Sequence, residues 1–100
     1  MDEFEKAVLE AVDETFLYLG DSVRRSLYYY LENHHGVGRG EVPFKLEGFV
    51  EGLRSIFGEG TNLLVKMIAK RIYGKLGLPF DEKTGWSLID YVEHARKNRK

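Results

Sequence analysis

The chain has 100 residues, 16 acidic and 15 basic, for a formal net charge of −1 and an apolar fraction of 43%. That is one domain's worth of chain, with core enough for one and no strongly basic or acidic balance to mark a polyanionic or polycationic partner. It holds no cysteine, which excludes a disulfide framework and a thiolate metal site. No apolar stretch approaches the roughly 20 residues a membrane helix needs, and the acidic start Asp2, Glu3, Glu5 is wrong for a signal peptide. A cytoplasmic location is therefore expected, with no membrane partner.

Charge is unevenly distributed. Residues 1–20 carry net −5, residues 21–60 net −1 and residues 61–100 net +5. Such a chain can fold its halves against each other or offer a basic face to a partner. Gln is absent and Asn occurs only at Asn33, Asn62 and Asn98, while 31% of residues are charged; this poverty in thermolabile residues suggests a thermophile.

The first helix is expected over Asp2–Tyr18, where Phe4, Val8, Ala11, Val12, Thr15, Phe16 and Leu19 recur at helical spacing. Leu9, Leu17 and Tyr18 lie off that stripe, so this helix is apolar on more than one face. Gly20 stops it, and Asp21 or Ser22 is expected to cap a second helix over 21–34. That helix should bury Val23, Leu27, Tyr30, Leu31 and His34. Tyr28, Tyr29 and Tyr30 together sweep about 200° of a helix, so at least one ring must face away from the core. Gly36, Gly38, Gly40 and Pro43 then read as a connecting loop.

The third helix, Leu46–Phe57, has the cleanest stripe: Leu46, Phe49, Val50, Leu53, Ile56 and Phe57. Gly48 and Gly52 sit four apart on another face and predict a close helix–helix approach, since two glycines otherwise cost about 1 kcal/mol each in helix propensity. The stripe stops at Phe57 and restarts at Leu63, so at least one of Gly58 and Gly60 should take a positive φ. The fourth helix, Thr61–Leu76, is apolar over most of its circumference and is expected at the centre, packed by the first three. Thr84 is expected to cap a fifth helix with Trp86, Leu88, Ile89, Val92 and Ala95 inward, ending in the basic run Arg96, Lys97, Arg99, Lys100. Nothing reads as a strand. The expected fold is all-α: one compact domain of about five helices over residues 1–100, in orthogonal or bundle-like packing, with a basic C-terminal helix over 84–100.

Leu19-Gly20 with Ser22-Val23, the Tyr28-Tyr29 pair before Leu31-Glu32, and Gly36-Val37 form a distinctive order of residues. It continues with Phe49, Leu53, Ile56-Phe57-Gly58-Glu59-Gly60, Ile68, Tyr73 and Leu76-Gly77. On these residues, the stretch 19–78 resembles the Nitrosopumilus output domains, small archaeal helical domains found alone or at the ends of signal-transduction proteins. Tyr30 stands where that family commonly has His, and Val65 where it commonly has Glu. The resemblance implies a helical signalling or partner-contacting module, not a mechanism.

No catalytic residue, cofactor-binding residue or metal ligand is assigned. His34 and His35 are adjacent and point about 100° apart on a helix, so they cannot share one metal; Glu32 and His94 could join them only through tertiary folding. Gly36-Val37-Gly38-Arg39-Gly40 lacks the following Lys-Ser/Thr and the preceding strand of a phosphate loop, and reads as a flexible connector. Ser22, Ser26, Ser55 and Ser87 lie in no nucleophile-elbow context. No cofactor is expected and the chain is read as a non-enzyme. The expected function is contact with a protein partner or with a second copy of the chain. Leu9, Leu17, Tyr18, Tyr28 and Tyr29 are the candidate surface, because Tyr buries ring area while its hydroxyl stays satisfied. The alternative is a DNA-binding regulator built on helix 46–57, turn and helix 61–76, with Thr61, Asn62, Lys66, Lys70 and Arg71 meeting nucleic acid. Against it stand the apolar circumference of the fourth helix and the near-neutral charge.

Overall fold

The computed structural model describes residues 1–99; Lys100, the last of the expected basic run, lies outside the described residues. Five α-helices follow one another: α1 Glu3–Leu19, α2 Asp21–His35, α3 Leu46–Phe57, α4 Thr61–Leu76 and α5 Leu88–Asn98. Two 3₁₀ segments, Arg39–Phe44 and Gly58–Gly60, join α2 to α3 and α3 to α4. Among the described residues there is no strand, and no helix is long and apolar enough to cross a membrane. The expected all-α class is the observed one.

Local chemistry sets the helix ends. At the start of α1 the Asp2 carboxylate accepts the Glu5 N–H at 2.8 Å and the Glu5 carboxylate accepts the Asp2 N–H at 3.0 Å, a reciprocal cap. The Glu5 N–H holds the Asp2 carboxyl below its ordinary 3.8, with Arg99 and Arg96 adding to the effect. A carboxyl lowered on folding stabilises the native state above its unfolded value, and that contribution is lost as the pH falls through the lower folded value. The first turn of α1 is therefore expected to fray on acidification below 3.8. Protection of the Glu5 amide, measured against its intrinsic exchange rate at each pH, should fall over that range in the parent and change little in Asp2→Asn, whose cap stays neutral.

Between α1 and α2 a single residue, Gly20 at φ 125°, reverses the chain; it caps both helices, and neither Asp21 nor Ser22 supplies the expected side-chain cap. Asp21 instead lies in the first turn of α2 and pairs with Arg24 at 2.8 Å. Gly58 takes φ 54°, ψ −127°, a conformation open only to glycine, whereas Gly60 is helical at φ −61°. The expected sharp turn is present and one of the two glycines makes it. The fifth helix starts three residues later than its Thr84 cap implied, at Leu88. Ser87 caps it, with Asp90 returning the bond to the Ser87 N–H.

The core joins all five helices. Phe4, Val8, Val12 and Phe16 of α1, Leu27 and Leu31 of α2, Phe49 and Leu53 of α3, Ile68 and Ile72 of α4, and Leu88, Val92 and Ala95 of α5 are buried together. The centre is shared more widely than the sequence implies. α4 packs against α1, α3 and α5, while α2 packs on α1 and α3 rather than on α4. Val23, His34 and Ile56, expected in the core, are outside it. Val23 is exposed because α2 turns Arg24 and Tyr28, not Val23, toward α1. Ile56 is exposed at the end of α3. Phe57 only packs against the core's edge, and Leu63 of α4 stands out in solvent. In the C-terminal region Trp86 precedes the helix and is partly buried, as is Ile89. Tyr91, which the inward stripe omitted, is fully buried.

α2 and α3 meet at the two glycines. A Cβ on Gly52 would strike the Leu31 side chain and lie 3.2 Å from the His35 ring; one on Gly48 would lie 3.2 Å from Val37. The spacing of four in α3 thus marks the close approach it predicts.

The segment after α2 is not a flexible connector. Val37 and Val42 are fully buried and Pro43 is buried, and the segment winds into a 3₁₀ helix. The Glu41 carboxylate accepts the Gly38 N–H at 2.9 Å, and the Lys45 ammonium reaches the Gly36 carbonyl at 3.0 Å. Arg39 crosses to Asp13 of α1 at 2.9 Å. Asp13 also receives Arg24 at 3.1 Å and the Tyr28 hydroxyl at 3.1 Å, so one α1 carboxylate gathers α2 and the segment behind it.

The two charged ends of the chain meet within the fold. Lys75 pairs with Glu14 at 2.6 Å and Arg71 with Glu14 at 3.4 Å. Arg99 pairs with Asp2 at 3.5 Å, and the guanidinium of Arg96 lies 4.4 Å from the Phe4 ring centre. Much of the C-terminal positive charge therefore faces the acidic first helix.

Candidate functional site

The residues expected at a partner surface separate into two groups. Leu9 packs against the core, and Tyr28 is committed within the fold. The Tyr28 ring sits 5.2 Å from Phe16 and 5.2 Å from the Arg39 guanidinium, and its hydroxyl donates to Asp13. Burial, reinforced by the Asp13 charge, pushes the Tyr28 phenol well above its ordinary value. Leu17, Tyr18 and Tyr29 are free, at 50%, 73% and 70% exposure. Val23, expected inside, joins them at 39%. Leu17, Tyr18 and Val23 flank the Gly20 corner between α1 and α2, while Tyr29 lies further along α2. The fifth helix does not fold back over this corner: it packs on α3 and α4.

The residues proposed to meet nucleic acid are also divided. Thr61 is fully buried, so it cannot reach a base edge, and its Oγ1 has no hydrogen-bond partner. Arg71 faces α1 and Glu14. Lys70 is exposed. Asn62 and Lys66 point to a different place, a cleft described below. A helix whose first residue is buried and whose basic side chains diverge does not present the row of contacts that groove reading needs.

Folding brings together residues that are distant in sequence at the α2–α3 contact. The Tyr30 hydroxyl and Ser55 Oγ lie 2.8 Å apart, Ser55 Oγ lies 3.5 Å from His35 Nε2, and the Tyr30 ring stacks on His34 at 4.7 Å. His34, expected inward, is exposed beside Tyr30. The Ser55 hydroxyl donates to the Gly52 carbonyl at 2.8 Å, so its proton is not directed at His35, and the arrangement reads as a polar seam. His94 packs instead against Trp86 and Tyr73. Among the described residues no three His, Asp or Glu side chains are placed to hold a metal ion.

A cleft of about 420 Å³ opens where three elements meet. Val50 and Arg54 line it from α3, Asn62, Val65 and Lys66 from α4, and residues 82–88 with Tyr91 from the C-terminal side. Tyr91 fixes the last wall: its hydroxyl accepts the Lys83 N–H at 2.9 Å and donates to the Lys83 carbonyl at 3.3 Å. Tyr73 braces Tyr91 from below, donating to its carbonyl at 2.7 Å, and burial raises the Tyr73 phenol above its ordinary value. Trp86 packs edge to face with Tyr91 at 5.1 Å and His94 at 5.4 Å. Sequence reading had no access to this cleft, because its residues come from three separate stretches, 50–54, 62–66 and 82–91, with no shared motif. Two residues of the nucleic-acid set, Asn62 and Lys66, were the only signal.

These features define a compact all-α domain with an exposed apolar corner and a lined cleft between α3, α4 and the 82–88 segment. No family model, no curated protein and no solved structure matches the chain.

Proposed function

We propose that this chain is a non-catalytic protein-interaction module that contacts a partner protein, or a second copy of itself, through the α1–α2 corner. The carrying observation is the exposure of Leu17, Tyr18 and Val23 around Gly20, on a domain whose remaining helix packs elsewhere. Uncovered apolar side chains grouped at one place mark an interaction surface, and Tyr suits it because its hydroxyl remains hydrated. Tyr29 extends the surface along α2. The resemblance of residues 19–78 to the Nitrosopumilus output domains supports the same reading and makes it that of an archaeal signal-output domain in the cytoplasm. The composition, rich in charge and poor in Asn and Gln, fits a thermophilic source.

Sedimentation at high micromolar concentration tests self-association. A dimer is expected, burying more than about 1,200 Å² in total, with Leu17→Glu plus Tyr18→Glu returning it to a monomer of unchanged helix content. A monomer for the parent chain overturns self-association. A titration with duplex DNA at two salt concentrations tests the competing reading; a complex that weakens steeply with salt would replace protein contact by DNA binding.

A further inference from the structure

The cleft between α3, α4 and the 82–88 segment carries an inference independent of the α1–α2 corner. Its size falls within the range of small-molecule sites, about 300–1,000 Å³. Its floor is apolar, with Val50, Val65 and Leu88. Its rim holds three cations, Arg54, Lys66 and Lys83, against one carboxylate, Glu82. Lys66 pairs with Glu82 at 3.4 Å. Arg54 and Lys83 have no carboxylate within ion-pair distance among the described residues; Arg54 donates only to the Asn62 side-chain oxygen, at 3.3 Å. Arg24, Arg39, Arg71, Lys75 and Arg99 are each matched to an acid; among the described residues Lys6, Lys70, Arg96 and Lys97 are not, but none of these four lines the cleft. Trp86, partly buried, supplies an aromatic wall beside Tyr91.

Apolar floor, aromatic wall and surplus positive rim together select a particular chemistry. We propose that this cleft binds a small organic anion, a flat apolar body lodged beside Trp86 with its phosphate or carboxylate held by Arg54 and Lys83. A guanidinium binds either group through paired N–H donors, and an ammonium through charge. Glu82, the carboxylate on the rim, is neutralised by Lys66, so the surplus positive charge of Arg54 and Lys83 disfavours a cationic ligand.

The chain has one tryptophan, so its fluorescence reads this cleft. The probes are adenosine monophosphate for the phosphate source and phenylacetate for the carboxylate source, with adenosine and inorganic phosphate as controls. A saturable change in Trp86 emission is expected with at least one of the two anions, and the tighter of them identifies the source. Adenosine and inorganic phosphate should each bind on the order of tenfold more weakly than adenosine monophosphate, or show no saturation. Arg54→Ala and Lys83→Glu should each weaken the anion on the order of tenfold. Both side chains are exposed, so an unchanged melting temperature checks that the fold is intact. No saturation by either anion overturns the proposal. So does parent-like affinity in both variants for whichever anion binds, and, where adenosine monophosphate is that anion, equal binding of adenosine or of inorganic phosphate.

Discussion

Truncating Ile68 to Ala should cost about 2–5 kcal/mol. Ile68 is wholly buried on the inward side of α4, in a core to which all five helices contribute. Removing its outer carbons forfeits their transfer free energy and leaves a cavity. Other members of the same core, Phe16, Phe49 and Leu53 among them, belong to other helices, and shifting one of them to fill a space would disturb its own packing. At this chain length 1 kcal/mol moves the melting temperature by roughly 4–8 °C, so the effect is large in either thermal or urea unfolding. A loss under 1 kcal/mol by denaturant titration would show that α4 is peripheral. The control is Leu63→Ala, on the same helix but exposed, where a change within about 0.5 kcal/mol is expected.

Gly52→Ala should be destabilising although alanine is the better helix former. Propensity alone predicts a gain near 1 kcal/mol. The new Cβ, however, would collide with the Leu31 side chain, which is itself fully buried and has nowhere to retreat, and would press on the His35 ring at 3.2 Å. Overpacking of this kind costs about 1–3 kcal/mol, and contact with a buried, immobile neighbour puts it toward the upper end, leaving a net loss of about 1–2 kcal/mol. Gly74→Ala on α4 should have the opposite sign. That glycine is exposed and helical, with nothing within 4 Å of its Cβ position, so propensity acts unopposed and a gain of about 0.5–1 kcal/mol is expected. The same substitution at two helical glycines thus separates a packing role from a merely tolerated one. A stabilised Gly52→Ala would mean that α2 and α3 can part without cost.

The candidate sites show where sequence reading stops. Leu17, Tyr18 and Tyr29 were legible as off-stripe residues, because a helical wheel is a local property. Tyr28 was not separable from Tyr29 by that means; its fate depends on Asp13, fifteen residues earlier, and on Arg39, from the segment beyond α2. Thr61 looked available for contact because it opens a helix beside Gly60. It is buried because α4 enters the core with its first turn already covered.

The sequence by itself determined the all-α class, the extents of α1 to α4 to within a residue or so, a turn made at Gly58 or Gly60 and a close approach at Gly48 and Gly52. Each follows from interactions within one helix or one turn: apolar period, helix-ending glycine and the absence of a side chain. The start of α5 was misplaced because Thr84 and Ser87 are both plausible caps, and only Ser87 is answered by an acid three residues on, Asp90. The tertiary structure alone decided which helix faces which, that Val37 and Val42 are core although they lie among glycines, and that Arg54, Lys66, Lys83 and Trp86 line one cleft. Those outcomes depend on side chains from different elements competing for the same interior and the same counter-charges. Periodicity along one segment carries no information about the segment that will pack against it.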